Sequence, residues 1–264
     1  MQKILFKIVN KIFHKTCFLL QIELPVKYFG TPYGGWHISE KHSKSISTVL
    51  SAGVGEDISF DIEIINNFKS QIFFIDPTPR AIAHIDKVIE NLGKHKTVEY
   101  DQKSGIQPVE SYELSEIQID NISLIKKALY SMSELNIKFF KPPNEAHVSH
   151  SISNFQNQFK RNTEYIEVKT TTIKDIMDRN KINKIDILKM DIEGAENQVI
   201  PDFLRRKIYP EQILVEFDEL STRFIRPYLK ALLIFSKLYL NSYKLVNTDN
   251  FPNFLFVRDI ENRL

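Results

Sequence analysis

The chain has 264 residues, 42% of them hydrophobic, and its 35 Lys and Arg residues nearly balance 33 Asp and Glu residues, so a nucleic-acid partner is not expected. The single cysteine, Cys17, excludes an intramolecular disulfide framework and a multi-cysteine metal site. No apolar run approaches the length that crosses a bilayer, and together these features favour a cytoplasmic protein.

Residues 1–20 have the pattern of an amphipathic helix in which lysines recur every four residues. These lysines are Lys3, Lys7, Lys11 and Lys15. We interpret residues 1–32 as an N-terminal extension and residues 33–264 as one domain. The favoured interpretation of the helix is that it packs on the core of this domain. The alternative is peripheral attachment to the inner face of a membrane.

Strand and helix patterns alternate along the rest of the chain. Apolar or alternating segments predict strands at residues 47–53, 71–76, 136–141, 165–171, 184–191, 212–218, 243–249 and 253–259. Helical spacing predicts helices at residues 56–68, 78–93, 172–181, 194–207 and 221–241, the last interrupted by Pro227. Residues 27–45 are predicted to form a loop, and residues 94–160 are predicted to be largely irregular.

This alternation predicts an α/β fold that is doubly wound and Rossmann-like, with a mostly parallel sheet covered by helices on both faces. A tight Asn-Phe-Pro connection joins the last two strands, and it predicts an antiparallel hairpin. The last strand is therefore expected to be antiparallel.

A glycine-containing turn follows the first predicted strand of the alternating region. Its candidate ligand-binding residues are Ser51, Gly53, Gly55, Glu56 and Asp57. Glycines at a strand-to-helix turn let a ligand approach the backbone, and the helix N-terminus presents free N–H groups. The next strand ends at Asp76, followed by Pro77, and an acid about 20 residues downstream commonly holds ribose hydroxyls. The two features predict a nucleoside-type cofactor site; the alternative is a tight turn with Asp76 capping a helix.

The residues of this turn favour S-adenosylmethionine over a nicotinamide dinucleotide. The dinucleotide fingerprint G-x-G-x-x-G/A requires a third small residue, whereas Glu56, Asp57 and Ile58 follow Gly55. The two acids would oppose a pyrophosphate, but they would tolerate the cationic sulfonium and ammonium groups of S-adenosylmethionine. An NAD(P)-linked oxidoreductase is therefore the alternative enzyme.

Carboxylates end two other predicted strands. Asp191 ends the apolar strand 184–191, at the edge where ligands bind in open α/β sheets. Glu216 and Asp218 end the strand 212–218, which should be its neighbour. Two carboxylates over one crevice could supply a general base or hold a divalent cation. A solvated strand end is the alternative.

Two histidines, His147 and His150, lie in the polar segment 141–158. Either is a candidate general base, although solvated loop histidines are more common. No pair of histidines has a convincing metal-ligand spacing, so no histidine metal site is expected. Glu196, near the start of a predicted helix, is interpreted as a residue that caps the helix N-terminus.

Six segments together resemble the FkbM-type methyltransferase family. Their sequences are YGGWHI (33–38), LSAGVGEDISFDIEI (50–64), IDPTPRAI (75–82), PPNEAHVSHS (142–151), ILKMDIEGAENQVI (187–200) and ILVEFD (213–218). The segments follow the family's order, and the resemblance spans roughly residues 33–258. It implies a class I methyltransferase fold, whose sheet has seven strands with the last one reversed. It also implies methyl transfer to oxygen, often on sugars or polyketide-type metabolites.

The resemblance also implies roles for single positions. Gly53 and Gly55 would form the cofactor turn, Asp76 would bind the adenosyl ribose, and Asp191 would face the crevice of methyl transfer. Many class I methyltransferases have an acid where this chain has Ser51.

The acids after the glycine turn, Glu56 and Asp57, are therefore candidates to replace the missing acid. Residues 101–133 fit the family poorly, so the region 94–160 is interpreted as a possible insertion that shapes the substrate pocket.

We therefore expect an S-adenosylmethionine-dependent O-methyltransferase that acts on a hydroxyl of a sugar, glycan or related small metabolite. The candidate general bases, in order, are Asp191, Glu216 and His150. Besides the NAD(P)-linked oxidoreductase, a non-catalytic binding protein that keeps the fold is an alternative.

Overall fold

The computed structural model describes residues 2–42, 45–142, 150–157, 160–246 and 251–259. These residues contain six α-helices and 13 β-strands. The helices are α1 (Gln2–Leu20), α2 (Ser59–Phe68), α3 (Pro79–Glu90), α4 (Ile173–Asn180), α5 (Glu196–Arg205) and α6 (Ile225–Leu240). The strands are β1 (Gln21–Ile22), β2 (Val26–Phe29), β3 (Trp36–Ser39), β4 (Thr48–Ala52), β5 (Gln71–Ile75), β6 (Ile122–Ile125), β7 (Ala128–Leu129), β8 (Asn136–Phe140), β9 (Tyr165–Thr171), β10 (Ile187–Met190), β11 (Gln212–Glu216), β12 (Tyr243–Val246) and β13 (Asn253–Arg258).

Eight strands form one large sheet in the order β1-β12-β13-β11-β10-β4-β5-β6. β13 runs antiparallel to both of its neighbours, β11 and β12, whereas the other pairings in this sheet are parallel. The sequence correctly predicted the mostly parallel sheet and its antiparallel last strand. The sheet has eight strands instead of the expected seven because the two residues of β1 pair with β12 at one edge.

Helices cover both faces of this sheet. Successive residues of a strand point to opposite faces, and in the central strands both sets of side chains are apolar and need to be buried. In β4, Leu50 packs on the side of α1, α4, α5 and α6, whereas Val49 packs on the side of α2 and α3. Both side chains are fully buried. Because the central strands are parallel, their carboxyl ends lie at the same edge of the sheet. The site described below lies at that edge.

The N-terminal helix packs against the core, as the sequence pattern favoured. Phe13 is fully buried, and its ring centroid lies 5.2 Å from that of Tyr228 and 5.8 Å from that of Phe235, both on α6. Within the described residues, no helix combines the length and the hydropathy that a membrane span requires.

Two helices begin three or more residues later than the sequence predicted. α2 begins at Ser59 rather than at residue 56, because the Asp57 carboxylate accepts the Ser59 N–H at 3.0 Å at the end of the preceding turn. α6 begins at Ile225 rather than at residue 221. Pro227 therefore lies in the first turn of α6, where no backbone N–H is needed, and it does not interrupt the helix.

Two regions predicted to lack regular structure contain strands. In the predicted loop 27–45, β3 pairs with β2 in an antiparallel hairpin, and the proposed boundary at residue 32 falls inside this hairpin. In the region 94–160, β6 pairs with β5 and forms an edge of the large sheet. β8, which the sequence did predict, pairs with β9 in a smaller three-stranded sheet. The sequence also missed β1 and β7, which have two residues each, whereas β2, β3 and β6 have four. Segments this short carry no clear period-two signal, and these lie in stretches without regular strand–helix alternation.

Candidate active site

A cavity lies where the carboxyl ends of β4, β5, β10 and β11 meet, at the sheet edge where the sequence placed the site. All the predicted site residues except Ser51 line this cavity. They are Gly53, Gly55, Glu56, Asp57, Asp76, Pro77, His150, Asp191 and Glu216. The fold therefore brings together residues that are far apart in the chain.

Gly53 lets the end of β4 approach the segment that follows β10. Its φ of +71° lies in the left-handed region, and a Cβ at this position would lie 1.6 Å from the carbonyl oxygen of Asp191. Gly55 also has a positive φ, of +57°. Only glycine fits at the first of these positions, since any side chain would meet backbone there. The close approach places Asp191 beside the glycine turn.

Asp76 braces the glycine turn through both oxygens of its carboxylate. Oδ2 accepts the backbone N–H groups of Val54 at 3.0 Å and of Gly55 at 3.4 Å. Oδ1 accepts the backbone N–H of Thr78 at 2.8 Å and its hydroxyl at 2.6 Å. A carboxylate offers about four lone-pair sites, and these contacts use them all. A ribose hydroxyl that binds here must therefore take the place of one of the present donors.

Ser51 lies beneath the cavity and not in it, so its predicted contact with a cofactor is corrected. Strand alternation turns its side chain toward the α2 face of the sheet, as it does that of Val49. Ser51 is fully buried beside Asp61 of α2, and its hydroxyl lowers the pKa of that carboxyl. Burial has the larger, opposite effect and raises the pKa of Asp61 to about 6, despite the nearby Lys189 ammonium.

Lys189 is a buried cation at the cavity wall that the sequence analysis did not single out. It lies on β10 with 3% of its surface exposed, and its Nζ donates to the carbonyl oxygen of Gly53 at 3.3 Å. The same ammonium lies 5.8 Å from the centroid of the Trp36 ring. The available signal was a single lysine inside the otherwise apolar strand ILKM.

Partners hold both acids of the glycine turn. Glu56 forms an ion pair with Arg80 of α3 at 2.5 Å. Asp57 is 6% exposed and accepts from the Thr31 hydroxyl at 2.6 Å and from the Gln107 amide at 3.3 Å. Asp57 therefore ties the glycine turn to the loop between β2 and β3.

Asp191 and Glu216 lie at matching positions of neighbouring strands, as the sequence predicted. β10 and β11 pair in parallel with Met190 opposite Val215, and Asp191 and Glu216 are the next residue of each chain segment. Both side chains line the same cavity.

The carboxylates on this side of the cavity are crowded, and their pKa values are raised. Burial raises the pKa of Asp191 and the Asp76 carboxylate raises it further, whereas Lys189 lowers it. Burial, followed by the carboxylates of Asp191 and Asp218, raises the pKa of Glu216. Because adjacent carboxylates resist double ionisation, the group favours binding a proton or a cation.

Three of the acids are close enough to share a cation. One carboxylate oxygen from each of Asp191, Glu193 and Asp218 lies within 4.8 Å of the others. Hard divalent cations prefer carboxylate oxygens of this kind. The geometry therefore fits the divalent cation considered from the sequence, with a group made of Asp191, Glu193 and Asp218.

Glu196 holds the turn between β10 and α5 in place. Its carboxylate accepts the backbone N–H groups of Ile192 at 3.2 Å and of Gly194 at 3.3 Å. Both donors precede the N-cap residue Ala195, so Glu196 braces the turn before α5 and does not cap the N–H groups of the helix itself. Glu193 has a φ of +52°, which is uncommon for a residue with a side chain. The Gln156 amide donates to the Glu193 carboxylate at 2.8 Å.

The region 94–160 contributes an apolar and aromatic part of the cavity wall. His150 stacks on Phe139, with ring centroids 6.1 Å apart and an interplanar angle of 14°. Ala128 and Leu129 of β7 lie on the same wall. The other predicted histidine, His147, lies outside the described residues.

Tyr33 is a further cavity residue to which the sequence analysis gave no role. It follows β2, and a Cβ on Gly105 would lie 2.2 Å from its ring, so the ring and this glycine are in close contact. Burial raises the pKa of Tyr33, and the Asp191 carboxylate adds to the effect. The sequence signal was the segment YGGW, which places two aromatic residues around two glycines.

Comparison with known proteins identifies one family. Residues 38–243 match the model of the methyltransferase FkbM domain. The match covers more than half of the chain and contains the glycine turn, Asp76, Asp191 and Glu216. No curated protein sequence gives a significant match.

Proposed function

This chain belongs to the FkbM methyltransferase family, and we propose that it methylates a hydroxyl oxygen of a sugar, glycan or related small metabolite. The family establishes a methyltransferase, and methyltransferases of this kind use S-adenosylmethionine. The NAD(P)-linked oxidoreductase and the non-catalytic binding protein are therefore set aside. The choice of a hydroxyl acceptor rests on one observation, the crowded carboxylates of Asp191 and Glu216 in the cavity.

The acidic walls of the cavity fit a cationic methyl donor. Bound S-adenosylmethionine supplies an activated methyl group on a positively charged sulfur. Glu56 and Asp57 lie on one side of the cavity, and Asp191 and Glu216 lie on the other. A diphosphate would meet these carboxylates at a cost, since like charges repel strongly where water is scarce. The cavity thus favours the cofactor chosen from the sequence over a dinucleotide.

The glycine turn and the residues after β5 are proposed to hold the adenosyl end of the cofactor. Gly53 and Gly55 keep this part of the wall free of side chains. Asp76 and Pro77 line the cavity next to them. In this proposal a ribose hydroxyl replaces the Thr78 hydroxyl on Oδ1 of Asp76, while Oδ2 keeps bracing the turn.

Asp191 is proposed to be the general base. Its raised pKa makes it a better proton acceptor than a solvated aspartate, because proton transfer is most efficient when the pKa is near the working pH. Glu216 lacks a contribution from Lys189, so it holds a proton more readily than Asp191 does. Asp191 would accept the hydroxyl proton of the acceptor. The bound cofactor would supply the methyl group and leave as S-adenosylhomocysteine when its sulfur–methyl bond breaks. His150, which also lines the cavity, is the next candidate.

The aromatic side chains that line the cavity suit an acceptor with a ring. Tyr33, Trp36 and Phe139 line the cavity together with His150. Ligand sites commonly combine aromatic side chains with a few polar groups that fix orientation. A sugar ring held among these side chains would present one hydroxyl to Asp191, and such positioning can supply a large part of the rate. In this respect the region 94–160 is proposed to shape the acceptor pocket.

A divalent cation on Asp191, Glu193 and Asp218 is the alternative to a proton shared among the acids. A cation would orient the acceptor oxygen and lower its pKa. Turnover that is lost with a chelator and restored by magnesium would support the cation. Turnover that a chelator does not change would support Asp191 acting as a simple base.

Product analysis tests the proposed reaction. The full chain is incubated with S-adenosylmethionine and a panel of sugars and glycolipid fragments, and products are read by mass spectrometry. We expect one acceptor class to gain a single methyl group, on an oxygen located by fragmentation. Methylation of nitrogen or carbon only, with no oxygen product, would contradict the proposal.

A further inference from the structure

Helix α1 has an apolar face that the core does not cover. Its inner side chains, such as Phe13, pack against α6 and the sheet. Other apolar side chains of the helix are at least half exposed: Ile4 66%, Leu5 50%, Ile8 50%, Ile12 54%, Phe18 71% and Leu19 69%. The free energy of burying these groups is therefore not used within the described part of the chain.

Lysines border the exposed apolar face of α1. Lys7, Lys11 and Lys15 are all exposed, and their spacing places them along one side of the helix. The segment Gln2–Leu20 contains no aspartate or glutamate. The whole chain has a formal net charge of only +2, so this helix concentrates positive charge that the remainder of the protein balances.

Helix α6 lies against α1, and it too has exposed apolar side chains and no acidic residues. Phe6 and Tyr228 join the two helices, with ring centroids 5.7 Å apart. Leu229, Leu233 and Leu240 of α6 are exposed by 52%, 63% and 84%. The segment Ile225–Leu240 also lacks acidic residues.

We propose that α1, with α6 beside it, docks the protein on an anionic lipid bilayer. An amphipathic helix that lies in the interface buries its apolar side chains among the acyl chains, while its lysines meet the headgroups. A second copy of this chain fits less well. In a two-fold symmetric dimer the same surface meets itself, so lysines would face lysines with no acid on the helix to pair with them. Charge complementarity thus selects the anionic surface.

Vesicle binding tests this surface without requiring a known acceptor. The full chain is sedimented with vesicles of phosphatidylcholine alone and with vesicles that also contain phosphatidylglycerol. We expect binding to the anionic vesicles only, and weaker binding as salt rises. The double variant Lys7→Glu/Lys11→Glu should bind about thirtyfold more weakly or worse, because each lysine near an anionic surface is worth about a factor of five.

A matched variant separates this surface from general charge. Lys87→Glu/Lys94→Glu makes the same change in net charge, and both lysines are exposed, with Lys87 on α3 at the opposite face of the sheet. This control should bind like the wild type. The variant Ile8→Ser should also lose binding, and thermal unfolding should show that every variant folds.

Three results would overturn the proposal. They are a wild type that does not bind anionic vesicles, equal losses in the two lysine variants, and a stable dimer by light scattering that Ile8→Ser dissociates without any change in vesicle binding.

Discussion

The two sides of the cavity hold their carboxylates in opposite ways. On the β4–β5 side, Asp76 and Asp57 accept several hydrogen bonds each, and Glu56 has an arginine partner. On the β10–β11 side, Asp191 and Glu216 face like charges, and burial raises the pKa of both. The carboxylates on the β4–β5 side are therefore held by hydrogen bonds and an ion pair. Those on the β10–β11 side repel one another, which is electrostatically unfavourable.

This difference suits a methyltransferase, because binding the donor and accepting a proton make opposite demands. A donor site needs a fixed backbone, and hydrogen-bonded acids provide it. A general base needs a proton affinity above that of a solvated carboxylate, and crowding in a buried position provides that. Substitutions on the two sides should therefore change different quantities.

The largest expected effect follows from Asp191→Asn on the crowded side. Loss of a general base typically lowers turnover about a hundredfold to ten-thousandfold. The affinity for S-adenosylhomocysteine should change little, because the lost interaction belongs to the transition state. Kinetics on the acceptor identified by product analysis and calorimetric binding provide the two measurements.

The variant Asp218→Asn is the comparison for this effect. It removes a neighbouring charge but keeps Asp191, so a simple base mechanism predicts a smaller loss of turnover. Near-normal turnover of Asp191→Asn would make Asp191 a structural residue and leave His150 as the leading base.

The variant Gly53→Ala should destabilise the β4–β5 side of the cavity. A Cβ would meet the Asp191 carbonyl oxygen, and the residue would also be strained at its positive φ. We expect a loss of about 3 kcal/mol or more in the free energy of unfolding. Gly93→Ala is the matched control, because Gly93 also has a positive φ, of +84°, but no atom lies within 4 Å of its added Cβ. The control should lose only about 1 kcal/mol. Equal losses in urea unfolding would show that the contact between β4 and Asp191 contributes nothing.

Asp76→Ala and Thr78→Val together sharpen the role of the β4–β5 side. The variant Asp76→Ala should bind S-adenosylhomocysteine about tenfold to a hundredfold more weakly, because it loses charge-assisted hydrogen bonds to the ligand. Thr78→Val removes the hydroxyl that now occupies Oδ1 of Asp76, so it should preserve or strengthen binding. Calorimetry measures both. If the two variants weaken binding equally, Asp76 braces the turn and does not contact the ribose.

Much of this fold could be predicted because its central strands are buried on both faces. Such strands are continuous apolar runs, and the segments containing β4, β5, β10 and β11 were all recognised as strands in this way. Asp191 and Glu216 follow directly, since residues at the ends of parallel neighbours share an edge. The short strands β2 and β3 lack such runs. The strand β6 has an apolar sequence, but it lies in a stretch without regular strand–helix alternation, so its pairing with β5 was not predicted.

The errors within the site have a different cause. Sequence period assigns a side chain to one face of a sheet, but it does not show which helix covers that face. Ser51 was placed in the cofactor site, whereas it points toward Asp61 under α2. Lys189 was overlooked for a similar reason, because its buried ammonium contacts the Gly53 carbonyl oxygen and the Trp36 ring, and both lie more than 100 residues earlier in the chain.

The smallest expected effect concerns the pH dependence of stability, and Glu216→Gln tests it. The folded-state pKa of Glu216 is raised above the unfolded value of about 4.3, so the folded state binds more protons between the two values. Stability must then fall as pH rises through this window. Glutamine has no proton to lose, so the variant should gain stability relative to the wild type as pH rises from about 5 to 8. The gain should be a fraction of the roughly 1.4 kcal/mol per pH unit that one full proton allows, because neighbouring acids share the proton.

An exposed carboxylate supplies the control for this comparison. Glu164 is paired with Lys141, which lowers its pKa, so its contribution to stability has the opposite sign and is present at higher pH. Relative to the wild type, Glu164→Gln should therefore not gain free energy of unfolding as pH rises, whereas Glu216→Gln should gain it steadily. Urea unfolding at each pH measures both variants. If the difference in free energy of unfolding between Glu216→Gln and the wild type does not change with pH, the pKa of Glu216 is not raised in the folded protein. The energetic contrast between the two sides would then be lost, and with it the reason to assign proton transfer to the β10–β11 side.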